Sequence, residues 1–192
     1  MRTRELVRPI RVRLPHAGVA PHCPICECSL PRFKRPAAGV ECPRCGSGPS
    51  QRLLWVFLLR EELLARPGVR ILNIEQEPLL DAWLRTRLAR FASAGPQELP
   101  SLPFDDARFD LVLCSHVLDP AKHDSARELH RVLDPLGVAV IQSSVAGVER
   151  SLEDAGFLVS TTSYTDELPR TLVRRCGLDQ DAGESIHFCR RD

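Results

Sequence analysis

The sequence lacks a long hydrophobic run. Its longest uninterrupted apolar stretch, Leu53 to Leu59, is far short of the ~20 residues that a membrane-spanning helix requires. The basic segment Met1 to Arg13 is not followed by an apolar h-region, so neither a secretory signal nor a transmembrane anchor is indicated. A soluble, cytoplasmic protein is expected. Aromatic residues are scarce, at 5%, and Phe33 stands alone among residues 21–48, which argues against that segment stacking nucleic-acid bases. No internal repeat occurs. Glycine is absent from Val69 to Ala94, so no residue in that span lets the backbone press freely against a ligand. Disorder is not indicated: 43% of the 192 residues are apolar, enough for the core of one ordinary domain with a small appendage.

Charge is balanced overall and unbalanced along the chain. Residues 1–60 hold ten Arg and one Lys against Glu5, Glu27 and Glu41, a local charge of +8, leaving the remaining 132 residues at −7. A basic third joined to an acidic remainder suggests a segment that meets phosphates or an acidic surface, which makes RNA or an acidic protein the candidate partner. With few aromatics in residues 21–48, any nucleic-acid contact would be mainly to phosphates.

Five of the eight cysteines lie between residues 23 and 45, while Cys114, Cys176 and Cys189 are scattered. In a chain without a secretion signal, clustered cysteines point to a metal rather than to disulfides. Cys23-Pro24-Ile25-Cys26 and Cys42-Pro43-Arg44-Cys45 form a CxxC…CxxC pair separated by 15 residues. Two residues between thiolates let one tight turn present both sulfurs to a tetrahedral ion, and two such turns close a four-sulfur zinc site. Gly46 follows Cys45 where such a turn wants a positive φ. Cys28 is a spectator or alternate ligand, and His22 completes no better geometry. With four thiolates the ion has no position left for water, so it would be structural rather than catalytic.

The chain divides into a basic extended arm (1–20) with a hint of alternation at Ile10–Leu14, a zinc ribbon (21–49), a linking helix (50–67) and an α/β domain (68–192). Ser50 can cap the linking helix and Pro67-Gly68 can stop it. Apolar groups on most sides of its first half predict burial between ribbon and main domain. Beyond Gly68, a β-rich run at 69–74, a helix over Pro78–Phe91, a loop over 92–108, strands at Phe109–Cys114 and Val138–Gln142, helices at Ser125–Leu133 and around Val148–Ala155, and final strands at Leu158–Tyr164 and Ser185–Cys189 alternate as βαβ units do. A largely parallel, Rossmann-like sheet is expected.

The segments CPIC…CPRCGS, QRLLWVFL, ILNIEQEPLL, LPFDDARFDLVLCSHVLD, ARELHRVLDPLGVAVIQ and AGF…YTDELPRTLVRRCGLD…IHFCRR resemble bacterial class I S-adenosylmethionine-dependent methyltransferases that carry an N-terminal zinc ribbon. The resemblance spans about residues 21–192. It implies S-adenosylmethionine bound outside the carboxyl ends of the strands, as in open α/β sheets generally. The turn Glu75–Pro78, with Glu75 and Glu77, would lie beneath the methionine part, Glu98 or a neighbour would approach the adenine, and Glu75, Glu77 or Glu98 would supply the carboxylate contact to the cofactor. Cys114, Ser115 and His116 would line the methyl-transfer pocket, with His116 contacting substrate or acting as a base.

The sequence also departs from that family. Only about ten residues separate the first helix from Leu102, too few for a second strand, a helix and a third strand, since a βαβ crossover alone needs about 10–12. The ribose-binding strand is therefore expected to be missing. Asp134-Pro135-Leu136-Gly137 stands where Lys-Pro-Gly-Gly is common, and Asp119-Pro120 where Glu-His is usual. A contracted sheet with a weakened cofactor pocket follows, and with it two readings: a small methyltransferase, or a non-methylating member of the fold that serves as a scaffold or as a cofactor-independent enzyme.

Overall fold

The computed structural model describes residues 20–35, 40–75, 78–86, 90–121, 123–179 and 184–192. The basic arm up to residue 19, Glu77, Arg87 and Leu88 lie outside the described residues. Short strands β1 (His22–Cys23) and β2 (Cys28–Ser29) pair antiparallel. Helix α1 (Pro49–Arg60) follows, then β3 (Ile71–Glu75), α2 (Pro78–Arg85) and β4 (Phe91–Ala94). A single 3-10 turn, Pro96–Glu98, leads towards β5 (Phe109–Ser115), α3 (His123–Val132) and β6 (Leu133–Ser143). Helix α4 (Val148–Asp154), β7 (Phe157–Thr162), α5 (Tyr164–Glu167), α6 (Arg170–Cys176) and β8 (Ser185–Arg191) complete the chain. The main sheet has the order β4-β3-β5-β6-β8-β7, in which β4, β3, β5 and β6 run parallel and β8 is antiparallel to both its neighbours.

Buried side chains form two apolar clusters, one on each face of this sheet. Alternation along β5 assigns its residues: Leu111 and Leu113 join one cluster with α1, while Val112 and Cys114 join the other with Ala126, Leu129, Val148 and Leu152. Arg52 to Leu58 of α1 are all buried, because the ribbon covers one side of the helix and the sheet the other. Ile25, Leu30 and Cys42 of the ribbon share one cluster with Leu53, Trp55 and Phe57. Trp55 meets Trp83 of α2 edge-on with centroids 5.7 Å apart, and Phe57 meets Tyr164 at 4.8 Å. The linking helix is thus the core element shared by both parts.

Four local expectations are corrected. Gly48, not Ser50, caps α1: Pro49 supplies the preset φ of a first helical residue, and the Gly48 N–H donates to Gln51 Oε1 at 3.0 Å. The helix ends at Arg60 rather than at Pro67-Gly68. Glu62 takes a left-handed φ of 52°, the Leu63 N–H donates to Leu58 O at 3.1 Å, and the Glu62 N–H donates to Leu59 O at 3.3 Å, the two bonds of a Schellman cap built without glycine. The helix expected to reach Phe91 stops at Arg85, and Phe91–Ala94 is an edge strand in register with Ile71–Ile74. The strand thought missing is therefore present at the edge of the sheet. Finally, β6 begins at Leu133, and Asp134–Gly137 forms a bulge inside it: Leu133 pairs with Phe109 and Val138 with Leu111.

The left-handed glycine expected after α4 is found, at Gly156 with φ 96°. Gly177 closes α6 the same way at φ 63°, and a Cβ there would lie 2.8 Å from the Phe33 ring. Gly177→Ala is expected to lower the melting temperature by roughly 4–8 °C: a left-handed Cβ costs about 1–2 kcal/mol before any clash, and about 1 kcal/mol shifts a chain of this size by 2–4 °C. A thermal melt unchanged within 1–2 °C would show that this junction yields freely. No helix among the described residues is long and apolar enough to cross a membrane.

Candidate metal centre and cofactor cleft

The sulfurs of Cys23, Cys26, Cys42 and Cys45 all lie within 4.8 Å of one another. Cys23 Sγ is 3.7 Å from Cys45 Sγ, and Cys26 Sγ is 3.8 Å from Cys42 Sγ. A tetrahedron with Zn–S bonds of about 2.3 Å has edges of about 3.8 Å, whereas a disulfide would bring two sulfurs to about 2.05 Å. Each knuckle turns through a left-handed residue, Glu27 (φ 56°) in the first and Gly46 (φ 79°) in the second, as the spacing after Cys45 requires. In the second, the Gly46 N–H donates to Cys42 O at 2.9 Å and the Arg44 N–H points at Cys42 Sγ at 3.4 Å. The buried Ser47 hydroxyl lies 3.2 Å from Cys45 Sγ and 3.4 Å from Cys23 Sγ. Cys28 turns its thiol to Cys26 O at 3.3 Å and stands outside the group of four, as does His22. Four thiolates this close would repel one another strongly unless a cation lay among them. The donor set and its spacing fit zinc.

The second site lies at the carboxyl ends of the parallel strands. Register aligns Ala94 with Ile74, Glu75 with Ser115, and Ser115 with Gln142, so these ends form one row. Ser115 and Gln142 are buried, Gln142 against the first turn of α1, and Ser115 Oγ and Gln142 Oε1 have no hydrogen-bond partner. Glu98 stands just past β4, with one carboxylate oxygen accepting the Gly95 N–H at 2.7 Å. Glu75 ends β3, and its side chain, like Glu77, is outside what the structure describes. Cys114 needs correction as a pocket residue. It is fully buried, packs in the apolar cluster on the face opposite α1, and burial pushes its thiol up to about 12.

His116 follows β5 in a left-handed conformation, φ 56°, with its N–H donating to Gln142 O at 2.9 Å. A non-glycine residue in that conformation at a strand end is a position held by its surroundings. Its Nε2 lies 3.3 Å from Glu184 Oε1. Glu184 in turn accepts from Ser50 Oγ at 2.7 Å and from Gln142 Nε2 at 2.5 Å, and the same Gln142 amide reaches Ser50 O at 3.0 Å. The carboxylate therefore joins the start of α1, the end of β6 and the histidine. Sequence reasoning missed Glu184, because nothing at Glu184-Ser185 marks an acidic residue that the antiparallel β8 carries back to the end of β5.

Residues 58–141 match the methyltransferase-domain family. Among solved structures, an S-adenosylmethionine-dependent methyltransferase from Mesorhizobium loti superposes with a TM-score of 0.53 at 14% identity, covering 75% of this chain and 100% of that one. A candidate sarcosine dimethylglycine methyltransferase from Galdieria sulphuraria superposes with a TM-score of 0.53 at 13% identity, covering 83% of this chain and 92% of that one. Both similarities are of fold. The sequence finds no match among curated proteins. The sheet, parallel but for one reversed strand next to its edge, therefore has the Rossmann-like fold of the superposed methyltransferases, with residues 58–141 matching the methyltransferase-domain family and a four-cysteine cluster that suggests a zinc ribbon preceding them.

Proposed function

We propose that the protein transfers a methyl group from S-adenosylmethionine bound across the carboxyl ends of β3, β4 and β5, and that its four cysteines hold a structural zinc ion. The observation that carries the reading is the β3–β4 pair with Glu98 at its carboxyl end, beside the buried, unpartnered Ser115 hydroxyl. Glu98 has a carboxylate oxygen beyond the one on Gly95 with which to accept a ribose hydroxyl. The expected absence of a ribose strand was the ground for a non-methylating scaffold, and that ground is gone.

When bound, the cofactor supplies an electrophilic sulfonium methyl. Alignment contributes most to such a transfer, and the protein's part is to hold the acceptor in line and exclude water. His116 is placed to take the acceptor's proton, with Glu184 fixing the ring and compensating the charge that forms on it. Gln142 and Ser50 fix the carboxylate.

Thermal shift tests cofactor binding without knowledge of the acceptor. At a cofactor concentration of about 100 Kd the native state gains about 2.7 kcal/mol, so the melting temperature should rise by roughly 5–10 °C. S-adenosylhomocysteine should give a comparable rise. No shift with either compound at millimolar concentration would defeat the reading.

A further inference from the structure

A groove of about 920 Å³ runs between the ribbon and the end of α6, and three of its lining residues, Phe33, Val40 and Gly177, contact the buried Arg52. Its walls combine two distant parts of the sequence: Arg32, Lys34 and Arg35 from the ribbon, and Arg174 from α6. All four cations are exposed, and among the described residues none forms an ion pair. Two carboxylates, Glu41 and Asp179, share the lining.

The floor of the groove is built rather than incidental. One Arg52 nitrogen, Nη2, donates to Gly177 O at 2.8 Å and to Val40 O at 3.2 Å, thereby joining the two walls. The Phe33 ring lies over the Arg52 guanidinium at 4.4 Å and directly against Gly177. The spacing of the four cations is therefore set by a buried clamp.

We infer that this groove binds the phosphate backbone of single-stranded RNA. Cations on two facing walls fit a strand of successive phosphates. Glu41 and Asp179 oppose any polyanion, and what sets RNA apart is that its ribose hydroxyls and base amino groups can donate hydrogen bonds to these carboxylates, which the acidic side chains of a peptide cannot do. The volume falls within the range of about 300–1,000 Å³ typical of ligand sites. With Phe33 engaged by Arg52 and Gly177, no free aromatic face stacks a base, so binding follows charge and not base identity. The inference stands on binding alone and does not depend on methyl transfer.

The test is fluorescence anisotropy of a labelled 20-nucleotide single-stranded RNA titrated with the zinc-loaded full chain between 50 and 200 mM salt. With up to four phosphates neutralised, the slope of log affinity against log salt should be about −3, at roughly −0.7 per phosphate. The variant R32A/K34A/R35A/R174A should bind at least tenfold more weakly with a flatter slope, while R127A/R150A, on the helices of the opposite face, should bind as wild type does. Zinc content and melting temperature of each variant verify folding. Wild-type binding that is absent at 50 mM salt, unaltered in the quadruple variant, or displaced by poly-glutamate as readily as by unlabelled RNA would overturn the inference.

Discussion

Cys42→Ser is expected to reduce the zinc content from one ion per chain to well under half and to lower the melting temperature by more than 10 °C. The cause is the economy of the ribbon, whose two-residue strands and few apolar groups cannot form a core of their own. Structural zinc in such modules contributes about 10–16 kcal/mol of binding free energy, which becomes folding free energy because the unfolded chain holds no preformed site. Serine offers a poor ligand in place of a thiolate that is buried and 3.8 Å from its neighbour. The effect reaches the main domain because Cys23, Ile25, Leu30 and Cys42 pack in the same cluster as Leu53, Leu54 and Trp55 of α1. Freeing the ribbon exposes one side of a helix that is buried from Arg52 to Leu58. Cys28→Ser supplies the control: its thiol binds a backbone carbonyl outside the group of four, so zinc content should stay at one. Metal analysis with thermal melts checks both, and a Cys42→Ser protein that keeps its metal and its melting point would refute the zinc ribbon.

Arg52→Met should destabilise the fold by about 3–5 kcal/mol, a fall of roughly 10–15 °C in melting temperature. The Arg52 guanidinium has no exposed surface and donates to Ser47 O and Val40 O of the ribbon and to Cys176 O and Gly177 O at the end of α6, the Cys176 bond being 2.7 Å. Methionine fills comparable volume, so the loss isolates the hydrogen bonds rather than a cavity. Ser47 O keeps the Cys42 N–H at 3.0 Å, but the carbonyls of Val40, Cys176 and Gly177 would be left to find water or go unsatisfied, at about 1–3 kcal/mol for each that fails. Arg52→Lys should recover only a minor part, since three donors on a single nitrogen cannot replace a planar fork that reaches two chain segments. The comparison of Arg52→Met with Arg52→Lys in a chemical melt decides the point. Near-wild-type stability for both would mean that apolar contacts alone join ribbon to domain.

The sequence was most legible where short-range chemistry decides structure. The spacing of Cys23, Cys26, Cys42 and Cys45 specified one cluster, because a CxxC turn has little choice in where its sulfurs point. The apolar runs 109–114 and 138–142 read as buried strands, since only a sheet covered on both faces uses such runs. Legibility failed where a partner distant in sequence decides. Leu84 and Phe91 carry a spacing that suits a continuous helix, yet Phe91–Ala94 became a strand because Ile71–Ile74 offered a free edge. That single misreading made the ribose strand seem lost, when the part absent among the described residues is the third strand and the helix before it. Cys114 failed for a different reason: period-two alternation turns it away from Ser115, into the core. Glu184 and Arg52 were hidden as partners because an antiparallel return and a helix turn brought them to sites more than 40 residues distant in sequence.

The central claim is that a contracted sheet retains a working cofactor site at the ends of β3, β4 and β5. Calorimetric titration of the zinc-loaded protein with S-adenosylmethionine, repeated on Glu98→Gln, tests it most directly. The amide of that variant can still accept the Gly95 N–H, so the local turn is kept while the charge is lost. One cofactor per chain for the wild type, with affinity lower by about tenfold or more in Glu98→Gln, is the predicted result. No heat at millimolar cofactor, or equal affinity in the two proteins, would contradict it.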